Sequence, residues 1–185
     1  MKTVDDFLNE HPDEVSKYNL DPLKLSERDK LRNRCKERSL YLLERAPKTE
    51  LKLREKLLSS GKYDEEIVDE TMDFLKKYGY VDDLRFAEQL IKQYSGTKSI
   101  REIEQKLYQR GVERNCIKQA MSAFKEDEEL SGDSELKAVK AAIRKKCRDT
   151  EALNPDSKRK LYASLMRKGF SYSTVTKALS IDEDF

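Results

Sequence analysis

LREKLLSSG (residues 53–61), IEQKLYQRG (residues 103–111) and LYASLMRKG (residues 161–169) are three versions of one phrase in a chain of 185 residues. Each sets an apolar residue eight positions before a glycine (Leu53, Ile103, Leu161) and a leucine four before it (Leu57, Leu107, Leu165). Residues four apart share one face of an α-helix, so each phrase buries a stripe. The glycine then takes left-handed backbone angles at little steric cost, which ends the helix in a tight turn. Six residues after Gly61, Gly111 or Gly169 stands Ile67, Ile117 or Val175, opening the apolar face of another helix. The glycines are 50 and 58 residues apart, room for three helices in each interval. Tandem three-helix repeats in an all-α fold follow.

Working outward, helical periodicity predicts helices near residues 27–45, 49–60, 64–78, 82–95, 99–110, 113–126, 134–149, 155–168 and 172–180. Ser26 with Asp29 resembles a helix cap, Ser99 with Glu102 matches a capping box, and Asn154 puts a cap before Pro155 at the first helical turn. The expected organisation is an acidic leader over 1–26 and repeats over 27–80, 81–130 and 131–185. Ile67, Val68, Thr71, Met72, Phe74, Leu75 and Tyr78 sample one broad face, which short helices bury only against neighbours.

Composition agrees with this reading. Charged residues make up 40% of the chain against the roughly 25% usual for globular proteins, and only 6 glycines and 4 prolines are present to make turns. No apolar run approaches the ~20 residues that cross a bilayer, and Asp5 and Asp6 occupy the place of a signal peptide's apolar core. A cytoplasmic protein is expected. Cys35, Cys116 and Cys147 are widely spaced, with His11 the sole histidine, so neither a disulfide framework nor a zinc site is anticipated. The absence of a GxxxxGK[ST] phosphate cradle argues against ATP hydrolysis by this chain. No catalytic residue, cofactor or metal is predicted.

Net charge is only +2, but its distribution is uneven. Residues 1–29 hold eight acids and four bases, whereas residues 137–168 hold eleven bases and three acids. Arg144, Lys145, Lys146 and Arg148 close one predicted helix, and Lys158, Arg159, Lys160, Arg167 and Lys168 lie along the next. Positions 160, 164, 167 and 168 share a side, with Leu161 and Leu165 on the packed stripe. These bases suit phosphate or an acidic protein surface, and Tyr162 adds contact area. The competing explanation is a solvated helix surface with favourable charge near its C-terminus.

From ELKLREKLLSSG onward the chain resembles the RecX family, regulators of the bacterial recombinase RecA. The signature-like core is Gly79-Tyr80-Val81-Asp82-Asp83 followed by Arg85-Phe86-Ala87, similar to the family's G-(Y/L)-(I/L)-(N/D)-D-x-R-(F/Y)-A. SIREIEQKLYQRGV and RKLYASLMRKGFSYSTVTKAL extend the likeness through roughly residues 38–180. The joint IKQYSGTKSI departs from the more basic, glycine-containing family form, so no DNA contact is carried over to it. The resemblance implies an elongated, curved array, of unspecified hand, that binds RecA filaments on single-stranded DNA. It also implies restraint of strand exchange, ATP turnover and coprotease activity without a catalytic centre. A monomer with weak direct DNA contact is expected. From the residues alone, a small helical nucleic-acid-binding module or a general protein-interaction scaffold stay open. Asp82 and Asp83 read as capping and inter-helix residues rather than metal ligands, and Arg85 as a packing or hydrogen-bonding residue.

Overall fold

The computed structural model describes residues 25–126, 128–147 and 154–179. The expected leader, but for its last two residues, and Arg148 lie outside this set. Among the described residues every regular element is a helix: α1 Glu27–Arg45, α2 Glu50–Leu58, α3 Glu65–Lys77, α4 Asp83–Tyr94, α5 Ile100–Gln109, α6 Arg114–Glu126, α7 Glu128–Arg144, α8 Pro155–Arg167 and α9 Tyr172–Leu179. They group as tandem three-helix repeats. The chain forms two compact units, one running to Phe86 and the other beginning at Ala87.

Helix starts are set by short polar side chains that accept the otherwise unpaired N–H groups of the first turn. Ser26 accepts from Asp29 N–H at 3.1 Å, Thr49 from Lys52 at 3.3 Å, and Asp64 from Ile67 at 2.8 Å. The capping box of Ser99 and Glu102 closes in both directions. Asn154 accepts from Ser157 N–H at 2.8 Å, with Pro155 at the first helical position.

Helix ends use left-handed glycines. Gly111 and Gly169 have φ of 75° and 85°. The next residue's N–H returns to the carbonyl of the leucine four before the glycine: Val112 to Leu107 at 3.1 Å and Phe170 to Leu165 at 3.5 Å. Gly79, with φ of 69°, does the same after α3, Tyr80 N–H reaching Leu75 at 2.8 Å. This pairing is the Schellman closure. Gly61, with φ of 65°, sits one residue further beyond its helix, and the Ser60 hydroxyl supplies the bond to the Leu57 carbonyl at 2.6 Å. The turn after α2 therefore differs from those after α5 and α8.

One boundary departs clearly from expectation. The helix predicted over 134–149 begins at Glu128 and ends at Arg144. Gly132 lies within it without a positive φ, and a right-handed glycine weakens a helix by about 1 kcal/mol without ending it. Beyond Arg144 the chain leaves the helix in a turn, with Lys146 and Cys147 N–H both reaching the Ile143 carbonyl, at 2.8 and 2.9 Å.

In the first unit, Cys35, Leu42 and Leu43 of α1 pack with Leu53, Leu57, Ile67, Val68, Met72, Leu75 and Val81. Arg28 bridges from α1 to Glu66 and Glu70 of α3 at 2.8 and 2.9 Å. In the second unit, Ala138, Val139, Ala142 and Ile143 of α7 meet Leu161 and Leu165 of α8, Phe170, and Val175 and Leu179 of α9. Ile103, Leu107, Ile117, Ala120 and Met121 are the buried residues of α5 and α6.

Candidate functional site

The basic series of the third repeat rests on α8. Leu161 and Leu165 face the core, so their helix must turn its other side outward, and Arg159, Lys160 and Arg167 are exposed there. Lys158 and Lys168 are half-buried. Arg144 is the last helical residue of α7, and Lys145 and Lys146 lie in the turn after it, all three exposed. The Lys146 ammonium donates to the Ser164 hydroxyl, which ties the end of α7 to α8. This base therefore has a structural task. Lys145, Lys160 and Arg167 make no ion pair among the described residues, in contrast to the α1–α3 bridges of the first unit.

Tyr162 is half-buried and packs against the third repeat's core, its ring edge-on to Tyr172 with centroids 6.2 Å apart. Tyr172, absent from the sequence prediction, is the more exposed of the two at 51%. Its exposure follows from its place at the first turn of α9, ahead of buried Val175 and Thr176.

The C-terminal end of α8 is seated against the N-terminal end of α5. The buried Ser99 hydroxyl accepts from Glu102 N–H and donates to the Lys168 carbonyl, so one side chain caps α5 and fills an end position of α8. The contact brings the positive end of one helix dipole to the negative end of another. A Cβ at Gly169 would stand 2.7 Å from the Arg101 Cβ and 2.9 Å from its Cδ, so glycine is what admits this approach. Exposed Arg101 thereby stands at the end of the basic series, 66 positions before Arg167 in sequence. No local signal could have placed it there.

The signature-like segment is built from capping bonds. Asp82 accepts from Arg85 N–H at 2.9 Å and starts α4. Asp83 accepts from Glu50 N–H at 2.9 Å, so its carboxylate satisfies the first turn of α2. Arg85 is exposed, Phe86 half-buried and Ala87 fully buried. Glu135 plays a similar part in the third repeat: from α7 it accepts from the Ser171 N–H and the Ser171 and Thr174 hydroxyls, each at 2.8 Å, where α9 begins. Among the described residues no group of His, Cys, Asp or Glu is arranged to hold a metal ion. Burial pushes the Cys35 thiol above its ordinary pKa. No described helix is long and apolar enough to cross a membrane.

Family models match all three repeats: RecX, first three-helix domain, over residues 35–75; RecX, second three-helix domain, over 82–121; and RecX, third three-helix domain, over 133–179. The Regulatory protein RecX of Clostridium botulinum (strain Alaska E43 / Type E3) is 31% identical over 142 residues, 77% of this chain and 65% of that protein. The Regulatory protein RecX of Clostridioides difficile (strain 630) is 29% identical over 158 residues, 82% of this chain and 69% of that protein. The chain thus spans about two thirds of the length of these relatives. The crystal structure of RecX from Lactobacillus salivarius superposes with a TM-score of 0.65 at 19% identity, covering 82% of this chain and 96% of that one. A crystal structure of regulatory protein RecX gives 0.67 at 21% identity, covering 91% of this chain and 85% of that one. Those two likenesses establish the fold. With the three domain matches in order along more than half of the chain, its capped three-helix repeats are those of a member of the RecX family.

Proposed function

We propose that this chain is a non-enzymatic regulator that binds RecA filaments on single-stranded DNA and mainly inhibits strand exchange, ATP hydrolysis and coprotease activity. The observation that carries the reading is the arrangement of α8, whose leucines are buried in the third repeat while Lys160 and Arg167 face solvent without a described carboxylate partner. A row of repeats contacts several neighbouring subunits of a filament, and modest contacts on one scaffold gain effective concentration. Occupying the filament groove obstructs a second DNA strand and the subunit movement that accompanies nucleotide turnover. Neither step asks for a catalytic residue.

The proposed repeats run over 27–80, 81–130 and 131–185, in a cytoplasmic, monomeric protein. Arg144, Lys145, Lys146, Arg148, Lys158, Arg159, Lys160, Tyr162, Arg167 and Lys168 are the proposed contacts, with Arg101 added and with Lys146 also holding α7 against α8. Direct DNA contact through this surface is weak and secondary to the filament. The test is a titration of preformed RecA filaments on single-stranded DNA with substoichiometric protein, reading ATP turnover. A progressive fall is expected, and turnover unchanged over a wide ratio, with no association in a pull-down, overturns the reading.

A further inference from the structure

The first repeat carries a second cationic surface, on an exposed side of α1 beside its buried face. Arg34, Arg38, Tyr41 and Arg45 follow one another at spacings of four, three and four residues. At 3.6 residues per turn they fall within roughly 60° of arc, a stripe about 16 Å long. All four are exposed, whereas Cys35, Leu42 and Leu43 on the packed side of the same helix are buried. The Tyr41 ring, 44% exposed, has the guanidinium carbons of Arg38 and Arg45 each 5.3 Å from its centroid. Such cation–π contacts hold an exposed ring and two cations in one fixed array.

Charge use along α1 separates this stripe from the rest of the helix. Arg28 is engaged with Glu66 and Glu70, and Arg32 with Asp29 and Glu70. Arg34, Arg38 and Arg45 make no ion pair among the described residues. Exposed Glu37 and Glu44 border one flank of the stripe, and buried Leu42 and Cys35 border the other, so an anion reaches the guanidiniums from the outward side. An acidic peptide would use the guanidiniums but leave the tyrosine ring in water. A single strand of nucleic acid uses both, because bases stack on aromatic rings while their phosphates pair with neighbouring arginines.

We propose that the Arg34–Arg38–Tyr41–Arg45 face of α1 binds single-stranded nucleic acid, one base stacking on Tyr41 and the flanking phosphates pairing with the three arginines. It is separate from the basic surface of the third repeat and does not rest on the filament reading. The experiment measures binding of the full chain, without recombinase, to a labelled oligothymidylate and to an abasic strand with the same number of phosphates. Tyr41→Ala should weaken oligothymidylate binding about tenfold, the contribution of one base–aromatic stack, and leave abasic binding nearly unchanged. Tyr41→Phe, which keeps the ring, should bind oligothymidylate as the wild type does. Replacing Arg34, Arg38 and Arg45 with glutamine should lower the slope of log affinity against log salt by about 2. A wild-type chain that binds neither strand, or a Tyr41→Ala loss equal on both, overturns the proposal. So does a glutamate-rich peptide that displaces oligothymidylate at matched charge, which would point to an acidic protein partner. A second measurement needs no variant: bound oligothymidylate should protect Arg38 and Arg45 from phenylglyoxal, and unaltered labelling overturns the proposal. Because no recombinase is present, failure here is distinct from failure of the filament reading.

Discussion

Gly169 answers to two constraints at once, a φ of 85° and the Arg101 side chain lying where a Cβ would be. Gly61 has the first constraint alone, at φ 65°, with open space where a side chain would stand. Gly61→Ala should therefore cost about 1 kcal/mol for the left-handed backbone alone. Gly169→Ala should cost about 2–3 kcal/mol, because a steric conflict with a helix side chain is added. Urea midpoints of the two variants measure the difference, and equal losses would mean that α5 moves aside freely. Cys35 offers a second residue-level prediction. Fully buried and with its thiol pKa raised by that burial, it should react with iodoacetamide far more slowly than half-buried Cys116 and Cys147 in the native protein. Unfolding in urea should abolish the difference, read by mass spectrometry of the labelled peptides.

At the scale of the element, the helices are short and borrow caps from one another. The eight residues of α9, Tyr172–Leu179, are far below the ~12 at which an isolated helix becomes marginal in water. Its first turn contains no acid of its own, and Glu135 of α7 supplies the acceptor for three donors there. Glu135→Ala should destabilise the chain by about 2 kcal/mol, whereas Glu135→Gln, which retains a carbonyl oxygen, should lose less. Ser99→Ala should also cost about 1–2 kcal/mol, since it removes an N-cap and a buried donor to the Lys168 carbonyl. Denaturant unfolding checks both. A Ser99→Ala protein as stable as the wild type would show that the Lys168 carbonyl finds another donor.

For the whole molecule, the question is whether the bases of the third repeat act together on a partner. Replacing Lys158, Arg159, Lys160 and Lys168 with glutamate should weaken filament association strongly while keeping the helical circular-dichroism signal, since Lys, Arg and Glu all favour helix. If about four wild-type bases meet phosphates, raising salt from about 50 to 200 mM should weaken binding by roughly two decades. A much shallower dependence would assign the contacts to the recombinase protein instead. Cooperative unfolding of the variant must be retained for the comparison to report on binding. Unchanged filament affinity with that control satisfied returns the bases to an ordinary solvated helix face.

What the sequence determined by itself was everything carried by neighbours three to five positions apart. The buried leucines, the Ser99–Glu102 box, the Asn154–Pro155 start and the glycine turns are all local, because helical hydrogen bonds and faces repeat at that spacing. Even Gly79 was legible in principle: Leu75 stands four before it, as Leu107 does before Gly111. The spacing of Arg34, Arg38, Tyr41 and Arg45 was equally plain in the letters, but α1 carries bases on several sides, and packing against α3 decided that Arg28 and Arg32 meet Glu66 and Glu70 while the stripe faces water. The bonds from Glu50 to Asp83, Ser171 to Glu135 and Ser99 to Lys168 join residues 33, 36 and 69 positions apart. Their partners are chosen by where whole helices come to rest. A side chain's capacity to accept or donate is written in its chemistry, whereas the group it meets depends on the burial of apolar faces elsewhere in the chain.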